Sequence, residues 1–409
     1  MMRTFFTLLA CLSSIVYASS RHPKSSIREF YDRFVAVNNQ FAVKLLQGAR
    51  NSKNHTDNVF VSPYSVITGL GMLSVAAHGQ TKEEILRVLN AQGMGNKHVA
   101  SALGNLTTLP NYTLSVANKV WAQSSVAICK VFQRRMQKYY STSLQQVDFQ
   151  SNPEMSREMV NSWVENRTQG HIQELLPPDS VTHHTRLVLT NAVYFQATWN
   201  DNFNKSDTRR RPFSSCTDNG KESSNVHMMQ RIGNYKYKLT HLLSVGDIEV
   251  LELPYSASNT SMFLVLPQRS ACSAINKLGK LLTPDLIPQL TSDLVLQPIN
   301  VSVPKFTLSD DTQVDTIFQT MGINRAFSAS LAEMSGINCD KMSPLYVSKS
   351  FHQAMVVVNE QGTVSAAASA ETHVNRIATP IFQVNRPFLF MIMDKVKKAV
   401  LFIGQVVKL

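Results

Sequence analysis

An α+β fold is predicted for this chain of 409 residues. Apolar residues in the first part recur at helical spacing, and strand-like runs dominate from Leu187 onward. No linker rich in Pro, Gly or Ser, internal repeat or low-complexity tract divides the chain, although length alone allows two or three domains. The elements follow in order. Arg3, an apolar run from Phe5 to Val16 and a small residue at Ala18 read as a secretory signal over residues 1–18. That run is shorter than the roughly 20 residues of a membrane span. Phe30, Phe34, Val37, Phe41 and Leu45 mark a helix, and Ser62 before Pro63 reads as an N-cap with the favoured first-turn proline. Thr81 with Glu84 predicts a capping box for the next helix. Another helix is expected over residues 97–107. Strands are expected over 187–195, 247–253, 261–266 and 294–303, with helices near 274–281 and 311–321.

Composition narrows the function classes. No Gly-x-Ser-x-Gly elbow, His-Glu-x-x-His helix or phosphate-cradling glycine loop is present, so an enzyme is not expected. Gly69-Leu70-Gly71 lies inside a helix pattern, and His183-His184 lacks metal-ligand spacing, so neither metal nor cofactor is expected. Cys11 leaves with the signal, while Cys129, Cys216, Cys272 and Cys339 remain, with three possible pairings. A chain this large builds a core without bridges, so free or singly paired thiols are expected rather than a disulfide framework. Sequons at Asn54, Asn105, Asn111, Asn166, Asn204 and Asn259 are candidate glycan sites in an exported protein; that at Asn300 falls in an expected strand.

The chain carries 40 basic and 28 acidic residues, net +12. In an exported protein that balance favours sulfated polyanions or anionic surfaces as partners, not nucleic acid. Lys130, Arg134 and Lys138 recur every fourth residue with Arg135 beside them, one basic helix face. Arg209-Arg210-Arg211 is a second cluster. A solvated helix face and a solvated loop are the alternative readings of both. A sulfated glycosaminoglycan is the one modulator this charge suggests.

The stretch from Asn359 to Pro380 follows neither helix nor strand pattern and lies between strand-like runs at 354–358 and 381–394. About twenty residues is far above the usual connection of four to six, so the segment needs a reason to exist. It is small and uncharged at first, and Arg376 is its only basic residue. In a strand Thr363, Ser365, Ala367 and Ser369 share one face, all small, so the segment can enter a sheet without steric conflict. Gly362 supplies a hinge. A flexible linker is the alternative on these residues alone.

The same residues resemble the serpin reactive-centre loop: Glu360-Gln361-Gly362-Thr363 followed by Ser365-Ala366-Ala367-Ala368-Ser369 is similar to its hinge. Counting about sixteen residues from Glu360 reaches Arg376. The resemblance extends along the chain through Ser62-Pro63-Tyr64-Ser65, Asn161 to Val164 with Thr168 to Ile172, and Asn191 to Phe195 with Trp199. Pro304-Lys305-Phe306, His352, Asn385 to Phe388 and Leu401 to Gly404 continue it in order. Val364, Ser365 and Glu371 depart from the family pattern, as does the absence of a proline near Leu409.

The resemblance implies one serpin domain over 19–409, with a large sheet, smaller sheets, about nine flanking helices and a reactive loop over 360–380. It implies a secreted, monomeric suicide inhibitor of a trypsin-like serine protease, cut at Arg376-Ile377 and covalently joined to its target. Ser62, Ser65, Asn191, Trp199 and His352 match positions at which the sheet opens. A carrier, storage protein or chaperone on the same fold is the alternative, favoured by bulky or charged hinge residues that this chain lacks.

Overall fold

The computed structural model describes residues 23–105, 113–217, 220–256, 258–268, 272–339, 345–361 and 379–409. The expected signal, the scissile pair and the hinge beyond Gln361 lie outside them. Helix α1 (Pro23–Asn51) leads through β1 (Val59–Val61) to α2 (Pro63–Ala76), α3 (Gly79–Val88), α4 (Asn96–Asn105), β2 (Thr113–Gln123), α5 (Lys130–Tyr140), β3 (Gln145–Val147), α6 (Pro153–Arg167) and β4 (Leu187–Gln196). Then come β5 (Arg209–Thr217), β6 (Gly220–Leu242), β7 (Gly246–Pro254), β8 (Thr260–Pro267), α7 (Cys272–Leu281), α8 (Leu286–Thr291) and β9 (Val295–Pro304). The chain closes with β10 (Phe306–Gln313), α9 (Val314–Thr320), β11 (Val347–Val358), β12 (Ile381–Gln383), β13 (Phe388–Asp394) and β14 (Ala399–Val406).

Five strands form one sheet in the order β10-β11-β4-β2-β3. The other strands form a continuous path, β1-β14-β13-β8-β7-β6-β9-β12, with β5 paired to β6. The smaller sheets are fused because β6, 23 residues long, pairs β5 over 220–228, β9 over 228–237 and β7 over 236–242. Helix α2 is apolar nearly all round and correspondingly buried at almost every residue. It lies under one face of the five-stranded sheet, in the main core with Leu189, Val193 and Phe195 of β4. On the other face Val160 and Val164 of α6 pack on Ala117 and Trp121 of β2, Val188 and Ala192 of β4 and Phe351 of β11. Alternation along β4 thus feeds two separate cores.

Several expectations are corrected. Thr81 and Glu84 do not form a capping box: α3 begins at Gly79 after His78, and both side chains serve distant contacts. Thr81 Oγ1 accepts from Glu333 N at 3.0 Å, and Glu84 Oε2 accepts from Asn324 N at 2.8 Å and Arg325 N at 2.9 Å. The helix expected over 311–321 starts only at Val314, because Asp311 to Gln313 pair with β11 as strand. The first part, expected to be helix-rich, also contains β2, whose two faces are both buried. The thiols are not free. Cys129 pairs with Cys339 and Cys216 with Cys272, across 210 and 56 residues of chain. Backbone bonds set up the first pair, since Cys129 N donates to Ile337 O and Cys339 N to Ala127 O, each at 2.8 Å.

Candidate functional site

The centre of the five-stranded sheet is a parallel pair. β11 and β4 run together from Val347 beside Leu187 to Val356 beside Phe195, with antiparallel β10 and β2 outside them. The chain leaves the end of β11 and returns at Thr379. A strand that doubled back from β11 into the β4/β11 seam would run antiparallel to both neighbours. Parallel ladders are slightly weaker per residue, so replacing one with two antiparallel ladders is favourable.

A buried polar network lies beneath this seam. His352 of β11 sits beside Asn191 of β4, and Asn191 beside Asn118 of β2. His352 Nε2 accepts from Ser62 N at 3.2 Å, which leaves the proton on Nδ1 to be donated to Asn191 Oδ1. Asn191 Nδ2 donates to Ser65 O at 2.5 Å and to Asn118 Oδ1 at 2.6 Å. Ser62 Oγ caps α2 by accepting from Ser65 N at 3.3 Å, and donates to Leu401 O at 2.9 Å. Complete burial pushes the His352 pKa down to about 3, so the ring is neutral. The network thus joins three strands to α2. Four of its members match the expected sheet-opening positions. Asn118 was missed, because only the strand register reveals that it faces Asn191.

Helix α6 and the chain after it straddle the seam. Asn161 Oδ1 accepts from Leu176 N at 2.9 Å, and Thr168 Oγ1 accepts from Ile172 N at 3.1 Å, which gives the Asn161–Thr168–Ile172 stretch a local structural basis. Lys119 Nζ lies 4.6 Å from the Trp121 ring and 4.4 Å from the Trp163 ring, clamping β2 to α6. Burial, helped by Arg167, lowers that ammonium to about 8.

The described start of the 360–380 segment is tethered. Trp199, buried and stacked on Tyr255 at 4.5 Å, donates from Nε1 to Asn359 O at 2.9 Å. Trp199 N donates to Gln361 O at 3.3 Å and Phe203 N to Glu360 O at 2.9 Å. The Glu360 side chain, 7% exposed, accepts from Thr208 Oγ1 at 3.0 Å and from Lys305 Nζ at 3.2 Å. Burial opposes its charge, but its own backbone N–H, Lys305 and Thr208 outweigh that and hold the carboxyl below its ordinary range. At the other end Pro380 O accepts from Asn300 N at 2.8 Å, and β12 pairs with β9. Glu360→Lys would set a second ammonium beside the exposed Lys305 and leave Thr208 without its carboxylate acceptor. The expected cost is about 1–2 kcal/mol, read as a lower urea midpoint for unfolding; an unchanged midpoint would show that the carboxylate contributes nothing.

The other expected sites divide by accessibility. Lys130, Arg134, Arg135 and Lys138 are exposed on α5, whose Phe132 and Met136 face inward. Asn54, Asn166, Asn204 and Asn259 are exposed. Asn300 is half-buried in β9, with its backbone N–H bonded, as its strand placement anticipated. The side chains of Asn105 and Asn111 lie outside the description. The His183 and His184 rings lie 3.9 Å apart, tilted by 47°, on an exposed turn. Among the described residues no group of three His, Cys, Asp or Glu side chains could hold a metal, and no helix is long and apolar enough to cross a membrane.

Comparison with known proteins bears on this arrangement. The family profile described as "Serpin (serine protease inhibitor)" matches residues 36–409. Antithrombin-III of Ovis aries is 30% identical over 385 residues, covering 90% of this chain and 80% of the relative. Leukocyte elastase inhibitor of Xenopus tropicalis is 33% identical over 362 residues, covering 87% of this chain and 94% of the relative. The crystal structure of native protease nexin-1 with heparin superposes with a TM-score of 0.82 at 27% identity, covering 93% of this chain and all of that one.

Proposed function

The chain belongs to the serpin family, has its fold and is a serine protease inhibitor rather than an enzyme; on that premise we propose that it traps trypsin-like serine endopeptidases by a suicide route. The observation that carries this reading is the pairing of a parallel β4/β11 seam with a chain that leaves β11 held, among the described residues, through Asn359, Glu360 and Gln361. The protease serine attacks the Arg376 carbonyl. An ester to Arg376 forms, the Arg376–Ile377 amide breaks, and the serine proton passes through the protease histidine to the departing Ile377 amine. Guanidinium suits the carboxylate at the base of a trypsin-like specificity pocket.

The freed segment from Thr363 then enters between β4 and β11, carrying the acyl-enzyme with it. The small shared face of Thr363, Ser365, Ala367 and Ser369 supports that entry. Opening the seam separates Asn191 from His352 and requires α6 to yield. We assign Gly362 and the following residues to Ser369 as the hinge, and Ser62, Ser65, Asn118, Asn191, Trp199 and His352 to the opening machinery. Export is proposed from the signal over 1–18, with glycans at the exposed sequons. The α5 face is proposed to bind heparin-like polymers. The protease nexin-1 structure with heparin supports that direction.

Incubation with trypsin is expected to give an SDS-resistant complex near the summed mass, and Arg376→Ala is expected to abolish it. Cleavage after Arg376 with protease activity fully retained would reject inhibition and favour a carrier or storage role.

A further inference from the structure

One charged surface has no part in the reading above. β5, the first part of β6, β9 and β12 form a single layer, paired in that order. The loop leaves beside one edge of this layer, where Thr208 and Lys305 hold Glu360, and returns as the opposite edge strand, β12. At the first edge Lys205, Arg209 and Arg210 are exposed and Arg211 is half-buried. Their guanidinium groups meet only uncharged acceptors: Arg209 the carbonyls of Ser206 and Thr208, Arg210 that of Asn225 at 3.4 Å, and Arg211 the Gln230 amide oxygen at 3.1 Å. None of the three meets a carboxylate among the described residues; Asp207 is the acid alongside them in sequence. Consecutive like charges repel, so attraction among its own members does not hold the cluster together.

We propose that this patch docks the acidic surface of the target protease and selects among trypsin-like enzymes by the charge around their clefts. The proposal rests on the inhibitory reading of the loop. A protease is favoured over a sulfated chain because both loop anchors lie in the patch's own layer, so a protein engaging the loop comes to rest against it. The regular basic row suited to a linear polymer lies on α5 instead.

Anionic and cationic trypsin, which share an arginine-accepting pocket, are the probes, with protein made in the bacterial periplasm so that no glycan at Asn204 screens the patch. Wild type is expected to inactivate the anionic enzyme about 10-fold faster at low ionic strength, the gap closing in about 1 M salt. Lys205→Glu/Arg210→Glu is expected to abolish or invert the preference, while Lys44→Glu/Arg87→Glu, at exposed positions of α1 and α3, keeps it. Each variant is first checked for an unchanged gain in melting temperature on loop cleavage, which reports an intact fold. If SDS-resistant complexes form with both enzymes but the preference survives Lys205→Glu/Arg210→Glu, the patch assignment is overturned and the inhibitory reading stands. If wild type forms no complex with either enzyme, the inhibitory reading falls and takes the patch with it. Loss of heparin retention in Lys205→Glu/Arg210→Glu with unmoved trypsin rates would also overturn the proposal, giving the surface to a polymer.

Discussion

Thr363→Arg is expected to convert the protein from an inhibitor into a substrate. In the proposed mechanism the residue begins the small face that enters the β4/β11 seam, where a guanidinium would be buried without a partner. A penalty of about 3 kcal/mol slows entry by roughly 100-fold, long enough for water to release the acyl-enzyme. The measurement is the ratio of SDS-resistant complex to cleaved, uncomplexed protein after titration with trypsin. The complex should give way almost entirely to cleaved protein while the initial cleavage rate stays near wild type. Undiminished complex yield would mean that position 363 does not enter the sheet.

The second large effect concerns His352. Its folded pKa of about 3 lies below the unfolded value near 6.5, so between these values the unfolded chain takes up a proton that the native ring refuses. Stability from this residue is therefore complete above about pH 6.5. It falls by about 1.4 kcal/mol for each pH unit below that, until the network opens or pH 3 is reached. His352→Gln removes the titration and should flatten the decline of the unfolding midpoint between pH 6.5 and 4. Parallel curves for wild type and variant would remove His352 as the cause. His352→Ala is more severe, since it leaves Ser62 N–H and Asn191 Oδ1 buried without their partner, each costing about 1–3 kcal/mol.

Legibility from sequence followed the range of the interaction that decides each feature. The Ser62-Pro63 helix start is local chemistry, and both the cap and the first-turn proline appear in α2. Thr81 and Glu84 carry an equally good local signal, yet a segment more than two hundred residues away claims both side chains. The disulfides were misjudged for a related reason. Core size argues against needing bridges but says nothing about whether Cys129 and Cys339 are brought to paired backbones. Arg376 and the small residues before it are proposed from sequence alone, because a protease reads side chains in order along a chain. The tether was only half readable: Trp199 could be singled out by resemblance, but its bond to Asn359 O depends on how β4 and β11 end side by side. Asn118 joins the polar network purely through register.

The pairing of β1 with β14 has a consequence for how the molecule is made. Val59 to Val61 line up against Ile403 to Gln405, so the first strand to be synthesised waits for its partner until everything between the two has been made. Until residues 403–405 have left the ribosome that edge stays unfilled, and the Cys129–Cys339 link too must wait for most of the intervening chain. A stop codon ahead of Ile403 would release a chain whose opening strand has nothing to close against.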